Sequence, residues 1–323
     1  MKYLVTGGAG FVGSHLVDRL ISDGHSVVVL DNFSTGRQEN LNQHSKCKSL
    51  EVVEGNILDA NLVNTLVAKV DRVFHLAAAV GVFNILQNPI ESMKTNIEGS
   101  ENIFDSCLKF NRPILITSSS EIYGKNSSDL LREDSDRIIG APQKVRWSYS
   151  DSKAIDEAIA VSLHQQRGLE TRIARLFNTV GPRQVGRYGM VVPRFVSAAV
   201  KGEPLAVYGS GKQTRCFGHV LDIVEALIRM EQASQSIGQP VNVGVDSEIS
   251  ILELAEKVIQ LTKSNSSIQF IPYAEAYSIG FEDMLRRVPD NNLLKQLTGW
   301  TPIKNIEDII LDIQNSLLLQ KTI

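Results

Sequence analysis

The residues best suited to chemistry are a tyrosine and a lysine. Tyr149-Ser150-Asp151-Ser152-Lys153 spaces a phenol and an ammonium four positions apart, which on a helix puts them on one face. A free phenol ionises only at about pH 10, so it is a poor base at neutrality. A neighbouring ammonium favours the phenolate. Such a group can take the proton of an alcohol while hydride leaves the same carbon. The spacing alone is a common accident. It gains weight from Thr117-Ser118-Ser119-Ser120-Glu121, which ends the strand-like run Pro113-Ile114-Leu115-Ile116-Thr117. Residues at that edge of an open α/β sheet face the crevice where ligands bind.

The elements that must position this group start at the N-terminus. The apolar run Met1 to Thr6 breaks into Gly7-Gly8-Ala9-Gly10-Phe11-Val12-Gly13 and then into the helix-like Ser14 to Leu20. A glycine at every third position, between a strand and a helix, lets backbone approach a diphosphate at a helix N-terminus. The flanking elements are what make the motif informative, so Gly7, Gly10, Phe11, Val12 and Gly13 are the expected cofactor contacts. Asp31 ends the second strand, Ser26 to Leu30, and Asn32 follows it. A carboxylate there accepts from both ribose hydroxyls of NAD and repels the 2′-phosphate of NADP; the alternative is an aspartate capping the next turn, and Arg37 points the other way. Asn56, in Gly55-Asn56-Ile57 after the third strand, suits an adenine edge or a turn equally well. Leu76-Ala77-Ala78 after the fourth strand is either a floor for the cofactor or helix packing.

Strand runs at Leu50 to Glu54, Arg72 to Leu76 and Thr171 to Leu176 alternate with helical stretches such as Ile90 to Phe110. The pattern predicts an α/β fold: a doubly wound parallel (Rossmann) sheet with right-handed crossovers. It occupies residues 1–177, with about 216–245 returning to it. Residues 178–323 mainly form a smaller C-terminal substrate lobe, ending in an amphipathic helix from Ile306 to Leu319. The chain has 323 residues, 43% of them hydrophobic, and a net charge of −3, which offers no general attraction for nucleic acid or anionic lipid. Cys47, Cys107 and Cys216 show neither metal-ligand spacing nor a disulfide framework. No apolar run is long enough to span a bilayer, and the first strand leaves no room for a signal peptide. The expectations are no metal, no nucleic-acid or membrane partner, and a cytoplasmic location.

Together the glycine turn, Asp31, the serine segment and the Tyr149/Lys153 pair resemble the extended short-chain dehydrogenases/reductases that act on nucleotide sugars. The resemblance implies NAD as cofactor, with Tyr149 and Lys153 also touching it. It gives Ser119 the sugar's reacting hydroxyl. Glu121 resembles the dehydratases and decarboxylases of the family rather than simple C4 epimerases, where a threonine or small residue is usual. Ser120 stands where dTDP-glucose-type 4,6-dehydratases carry an aspartate, which argues against that branch; GDP-mannose dehydratases share the Ser-Glu pair. Ser118-Ser119-Ser120-Glu121-Ile122-Tyr123-Gly124, Arg146 to Lys153, and Asp31 to Arg37 are most similar to UDP-glucuronate decarboxylases. Gly280-Phe281-Glu282-Asp283 and Arg286-Arg287-Val288-Pro289-Asp290 match the same enzymes loosely. Ser119 replaces their usual threonine and Val288 their usual lysine.

The same resemblance implies a UDP-sugar partner held by Ser120, Asn178, Arg183, Val192, Arg215 and Arg287. Guanidinium suits a diphosphate or a carboxylate because it binds bidentately. Val191 to Phe195 and Val207 to Gly211 would line the uridine. Ser119, Glu121, Tyr149 and Lys153 are then the catalytic set. The expected reaction oxidises the sugar at C4 and releases CO₂ from C5 as a β-keto acid, with Glu121 and Arg287 orienting the carboxylate and assisting proton return. A UDP-sugar 4-epimerase is the alternative, a 4,6-dehydratase comes next, and a sensor that has lost catalysis is disfavoured by the intact Ser119, Tyr149 and Lys153. A homodimer through the helices near 90–110 and 150–167 is implied by the family. Ala154, Ile155, Ala158, Ile159 and Leu163 could supply an apolar stripe, or could equally be intramolecular core.

Overall fold

The computed structural model describes every residue except 82–84, 86, 187–189, 273–274, 276–283, 285 and 321–323. The central strands are β1 (Lys2–Thr6), β2 (Ser26–Asp31), β3 (Leu50–Glu54), β4 (Arg72–His75), β5 (Ile114–Ser119) and β6 (Thr171–Leu176). Short strands β7 (Thr179–Val180), β8 (Leu205–Tyr208), β9 (Thr214–Cys216) and β10 (Gly218–His219) follow, then β11 (Pro240–Val243), β12 (Glu248–Ser250) and β13 (Ile268–Ile271). Helices α1 (Phe11–Ser22), α2 (Ala60–Val67), α3 (Pro89–Phe110) and α4 (Ser148–Arg167) belong to the first half. Helices α5 (Val191–Lys201), α6 (Val220–Gln232), α7 (Ile251–Thr262), α8 (Asn292–Thr298) and α9 (Ile306–Gln320) complete the described set.

Seven parallel strands lie in the order β11-β6-β5-β4-β1-β2-β3. The strand order reverses between β1 and β4, and a crevice opens there at the C-terminal ends of the strands. Period-two alternation builds both faces. Tyr3 and Val5 of β1 and Val27 and Val29 of β2 pack on the side of α1 and α6. Leu4, Val28 and Leu30 face α2, α3 and α4, with Ile103, Phe104 and Ala160 among their neighbours. The early strands thus have purely local sequence causes: short β-branched runs closed by Gly, Asn or Asp.

A third cluster holds the smaller lobe together. Val192, Phe195 and Val196 of α5 pack with Leu254, Ala255 and Val258 of α7 and Ile309, Ile310 and Ile313 of α9. β11 extends the main sheet beside β6, and α6 packs on α1. A further segment of the second half also joins the large sheet. Leu294 of α8 and Trp300 are fully buried in the α1/α6 layer, and the Trp300 indole N–H donates to the Asp222 carbonyl at 2.8 Å. Residues near 288–300 therefore pack with the sheet rather than with the lobe, because this layer needs bulk beyond what α6 provides.

The expected apolar stripe on α4 divides. Ala154, Ile159 and Leu163 are half-buried against the chain's own core, while Ile155 and Ala158 stay exposed. No helix among the described residues is long and apolar enough to cross a membrane, and no His, Cys, Asp and Glu grouping among them could hold a metal.

Candidate active site

One cleft of about 790 Å³ runs from the glycine turn, over the strand ends, to the smaller lobe. Its first end is shaped by missing side chains. Gly7 has φ of +71°, and a Cβ there would stand 2.8 Å from the Ala77 nitrogen. A Cβ on Gly13 would come within 2.1 Å of the Gly7 carbonyl oxygen. Gly10, Phe11 and Val12 also line the cleft at the start of α1, where unpaired N–H groups favour an anion. The buried Asp31 carboxylate accepts from the Ala9 and Phe33 amides, both at 2.9 Å. Each carboxylate oxygen keeps further acceptor capacity, and a side chain on Gly36 would crowd both oxygens at 2.9 Å. Asn32, Ile57, Leu76, Ala77 and Ala78 line the walls. Asn56 makes the turn contact, its Oδ1 accepting from the Leu58 amide at 3.0 Å, and the residue also lines the cleft. This cradle fits an adenine dinucleotide with free ribose hydroxyls.

Over the middle of the cleft stand Ser119, Tyr149 and Lys153. Ser119 closes β5 and accepts from the Glu121 amide at 3.2 Å, capping the short turn Ser120–Tyr123. Its hydroxyl hydrogen-bonds Tyr149. Tyr149 and Lys153 share one face of α4. A buried salt bridge fixes that helix: the Arg175 guanidinium donates to both Glu157 oxygens, at 2.7–3.1 Å. Lys153 does not serve Tyr149 alone. Its Nζ lies 3.0 Å from Oδ2 of Asp156, and both side chains are almost wholly buried. Burial pushes the Tyr149 phenol above its ordinary range; Lys153 and Ser119 pull it down, and Glu121 and Asp156 push it up. Burial works against the Lys153 ammonium, but Asp156 and Tyr149 outweigh it and hold it charged.

Beyond Tyr149 the wall is ionic. Oε1 of Glu121 accepts from Nη1 of Arg287 at 2.7 Å, and Oε2 lies 3.4 Å from Nη1 of Arg146, which stacks on Trp147 at 4.9 Å. Burial opposes the Glu121 charge, yet Arg287, Arg146 and Arg215 together hold its carboxyl below the usual range. In this geometry Glu121 anchors Arg287. Arg287 is 5% exposed, touches Ser120 Oγ at 3.4 Å, and its Nε finds no acceptor among the described residues. A guanidinium on the cleft wall suits an anion.

The model for "GDP-mannose 4,6 dehydratase" matches residues 4–313. The chain belongs to that family. It is 41% identical over 303 residues to a UDP-N-acetyl-alpha-D-glucosaminuronate decarboxylase of Bacillus cytotoxicus, covering 93% of this chain and 92% of the relative. It is 38% identical to a UDP-glucuronic acid decarboxylase of Danio rerio, over 95% of this chain and 70% of that protein. Among solved structures, a dTDP-glucose 4,6-dehydratase of Streptomyces venezuelae, with NAD bound, superposes with a TM-score of 0.88 at 26% identity, covering 100% of this chain and 98% of that one.

Within this family frame, four sequence-named substrate residues line the cleft: Ser120, Asn178, Arg215 and Arg287. Asn178 also ties the lobe down by donating to the Cys216 carbonyl at 3.0 Å. Two expected contacts do not reach it. Arg183 turns away through a φ of +69° and pairs with Asp18 of α1 at 2.8 Å, so it fastens the loop after β7 to the sheet domain. Val192 is fully buried in the lobe core; Val191 and Arg194, one helical turn apart, face the cleft instead. Arg194 lies 4.2 Å over the Tyr208 ring, so these two family motif segments do meet. Gly280 to Asp283 lie outside the described residues.

The sequence reading missed what holds the site from behind. Buried Asn96 binds Ala79 through both ends of its amide, at 2.7 and 3.3 Å, and donates to Ser152 at 3.3 Å. Buried His75 bridges Thr6 Oγ1 (2.7 Å) and Ser100 Oγ (3.0 Å). The available signal was the four-residue spacing of Ser92, Asn96 and Ser100, a polar line on the buried face of α3.

Proposed function

We propose that this chain is an NAD-dependent decarboxylase of a UDP-linked hexuronate, with UDP-glucuronate the leading substrate. One observation carries the reading: the buried guanidinium of Arg287, anchored on Glu121, lines the cleft. A neutral hexose gives a guanidinium nothing charged to bind, whereas a C5 carboxylate does. The glycine cradle and Asp31 support NAD, and the relatives that act on UDP-hexuronates support the substrate class.

Bound NAD supplies a hydride acceptor for the sugar's C4. Tyr149 takes the 4-hydroxyl proton, and Ser119 holds the same oxygen in line. Lys153 stabilises the negative phenolate and keeps two further N–H donors for ribose hydroxyls. Arg287 seats the carboxylate. The C4 ketone lies β to it, so the C5–carboxyl bond breaks with its electron pair passing into an enolate and CO₂ leaving. Ser119 and Tyr149 then donate to the enolate oxygen, where charge has developed.

The test is to supply UDP-glucuronate and NAD and to analyse gas and nucleotide products. CO₂ together with a UDP-pentose or UDP-4-keto-pentose is expected. A six-carbon acid epimerised at C4, with no CO₂, would replace this reading by the 4-epimerase. The 41% relative favours running the same assay with the 2-acetamido acid, because its carboxylate has the same β relation to C4. Homodimerisation belongs to the proposal as well. Ile90 of α3 and Ile155 of α4 leave apolar surface on the two helices expected to pair, and light scattering of the purified chain decides it.

A further inference from the structure

Lys153 has a partner that the reaction as written does not use. Asp156 lies one turn further along α4, 1% exposed, with Oδ2 at 3.0 Å from Nζ. The Ser100 hydroxyl also stabilises this carboxylate, although Oδ1 receives no hydrogen bond of full geometry among the described residues. Ser100 is bonded in turn to His75 Nε2, and His75 Nδ1 to Thr6 Oγ1. Thr6 Oγ1 accepts from the backbone amide of Ala77 at 3.2 Å.

The donors can be assigned in one consistent direction. The Ala77 N–H donates to Thr6, and the Thr6 hydroxyl to Nδ1 of a neutral His75. The His75 Nε2–H donates to Ser100, and the Ser100 hydroxyl is left for Asp156. Burial, helped by Lys153, lowers His75 to about 3, which keeps it neutral as this assignment requires. Hydrogen bonds thus run from Ala77 at the floor of the dinucleotide cradle through Thr6 and His75 to Ser100, which stabilises Asp156 at the back of the catalytic lysine.

We propose that Asp156 is a positioning residue that anchors the Lys153 ammonium behind Tyr149 and, through Ser100, His75 and Thr6, locks it to the backbone at Ala77. A lysine without that anchor would sit in a buried site whose remaining carboxylate, Glu157, is already paired with Arg175. With it, the ammonium is held charged, at one height along α4, on the wall of the cleft. The anchor has an electrostatic consequence: the carboxylate offsets much of the lysine charge that Tyr149 feels. The groups facing Tyr149 are Lys153, Glu121, Ser119 and Asp156; Glu157, paired with Arg175, faces Lys153. Losing one negative charge from this set makes ionisation of the Tyr149 phenol easier.

The test compares Asp156→Asn and Asp156→Glu with the parent, and Tyr149→Phe supplies the baseline for an ultraviolet phenolate titration. This readout needs no substrate, so it stands apart from the proposed decarboxylation: a parent inactive on every hexuronate would sink that reading and leave the titration decisive here. In Asp156→Asn the Tyr149 phenol should titrate roughly 1–2 pH units lower, and the rising limb of kcat/KM should move with it. Asp156→Glu keeps the charge and should keep the parental midpoint even where its rate falls. If the asparagine variant does not fold, Asp156→Ser removes the same charge from a smaller side chain. An unmoved midpoint in the uncharged variant, or equal shifts in the uncharged and glutamate variants, overturns the proposal.

Discussion

Arg287 places its Nη1 2.7 Å from Oε1 of Glu121, a residue 166 positions earlier in the chain. The pair joins the segment that leads into α8 to the turn that follows β5, and in the proposed function it is the point where substrate charge is met. Truncating one member leaves the other buried and uncompensated, a penalty of about 2–5 kcal/mol for such pairs. Arg287→Met is therefore expected to lower kcat/KM for CO₂ release from UDP-glucuronate by roughly 100-fold or more. Arg287→Lys should recover only part of this, because an ammonium cannot hold Glu121 and a carboxylate with one planar fork. Initial rates with the three proteins check it; parental rates in the methionine variant would remove Arg287 from the site.

Tyr149→Phe keeps the ring and removes the proton acceptor. Turnover should fall by about 10²–10⁴-fold, the usual range for a general base. Calorimetric affinity for the UDP-sugar should change little, since Ser119, Arg215 and Arg287 remain. Near-parental turnover in this variant would show that the 4-hydroxyl proton leaves by another route.

Asp31 has two duties, and they can be separated. Its oxygens accept from the Ala9 and Phe33 amides, and in the proposed function they also accept from the ribose hydroxyls of NAD. Asp31→Ala should weaken NAD binding by at least about 10-fold, from the loss of a charged hydrogen bond worth ~1.5–3 kcal/mol. It should also lower the melting temperature of the cofactor-free protein. Asp31→Asn keeps an acceptor for one amide, so its melting temperature should lie nearer the parent while NAD affinity still drops. Fluorescence titration and thermal unfolding on the same samples give both numbers.

What could be read from the sequence follows from where the determining contacts lie. β1 to β6 and the glycine turn are set by neighbours within a few residues, so apolar runs and breakers reveal them. β7, β9, β10 and β12 are two or three residues long, and each exists only because a distant strand pairs with it; no local pattern announces them. Val192 was misplaced because the start of α5 fixes the phase of the helix, and a shift of one residue exchanges the cleft face for the core face. Arg183 was named for its chemistry, but the backbone turn at 183 sends it to Asp18. Tyr149 and Lys153 were legible as a pair. Asp156 was not, since its role depends on α3 and β4 delivering Ser100 and His75 to the same buried spot.

His75 makes that buried line visible in stability. Its ordinary ionisation near 6.5 is lowered to about 3, chiefly by burial and also by the Lys153 ammonium. The unfolded chain therefore binds a proton that the folded chain refuses. The stabilisation is complete above the unfolded value and is lost as pH falls from 6.5 toward the folded value of about 3. Each unit of this interval corresponds to about 1.4 kcal/mol. His15, lowered to about 4 by burial, and His219, also lowered chiefly by burial, act in the same direction. Between about pH 6 and 5 the exposed carboxylates are still ionised, so the histidines dominate the slope. His75→Gln should make the protein less stable at pH 7 by about 1–3 kcal/mol, because Thr6 and Ser100 lose their bridge. It should also flatten the dependence of unfolding free energy on pH in that window by the equivalent of roughly one proton. Denaturant titrations at closely spaced pH values measure both effects. A variant with the parental slope would mean that His75 takes up its proton in the folded protein, and that its Nδ1–H donates to Thr6 Oγ1 instead of accepting from it.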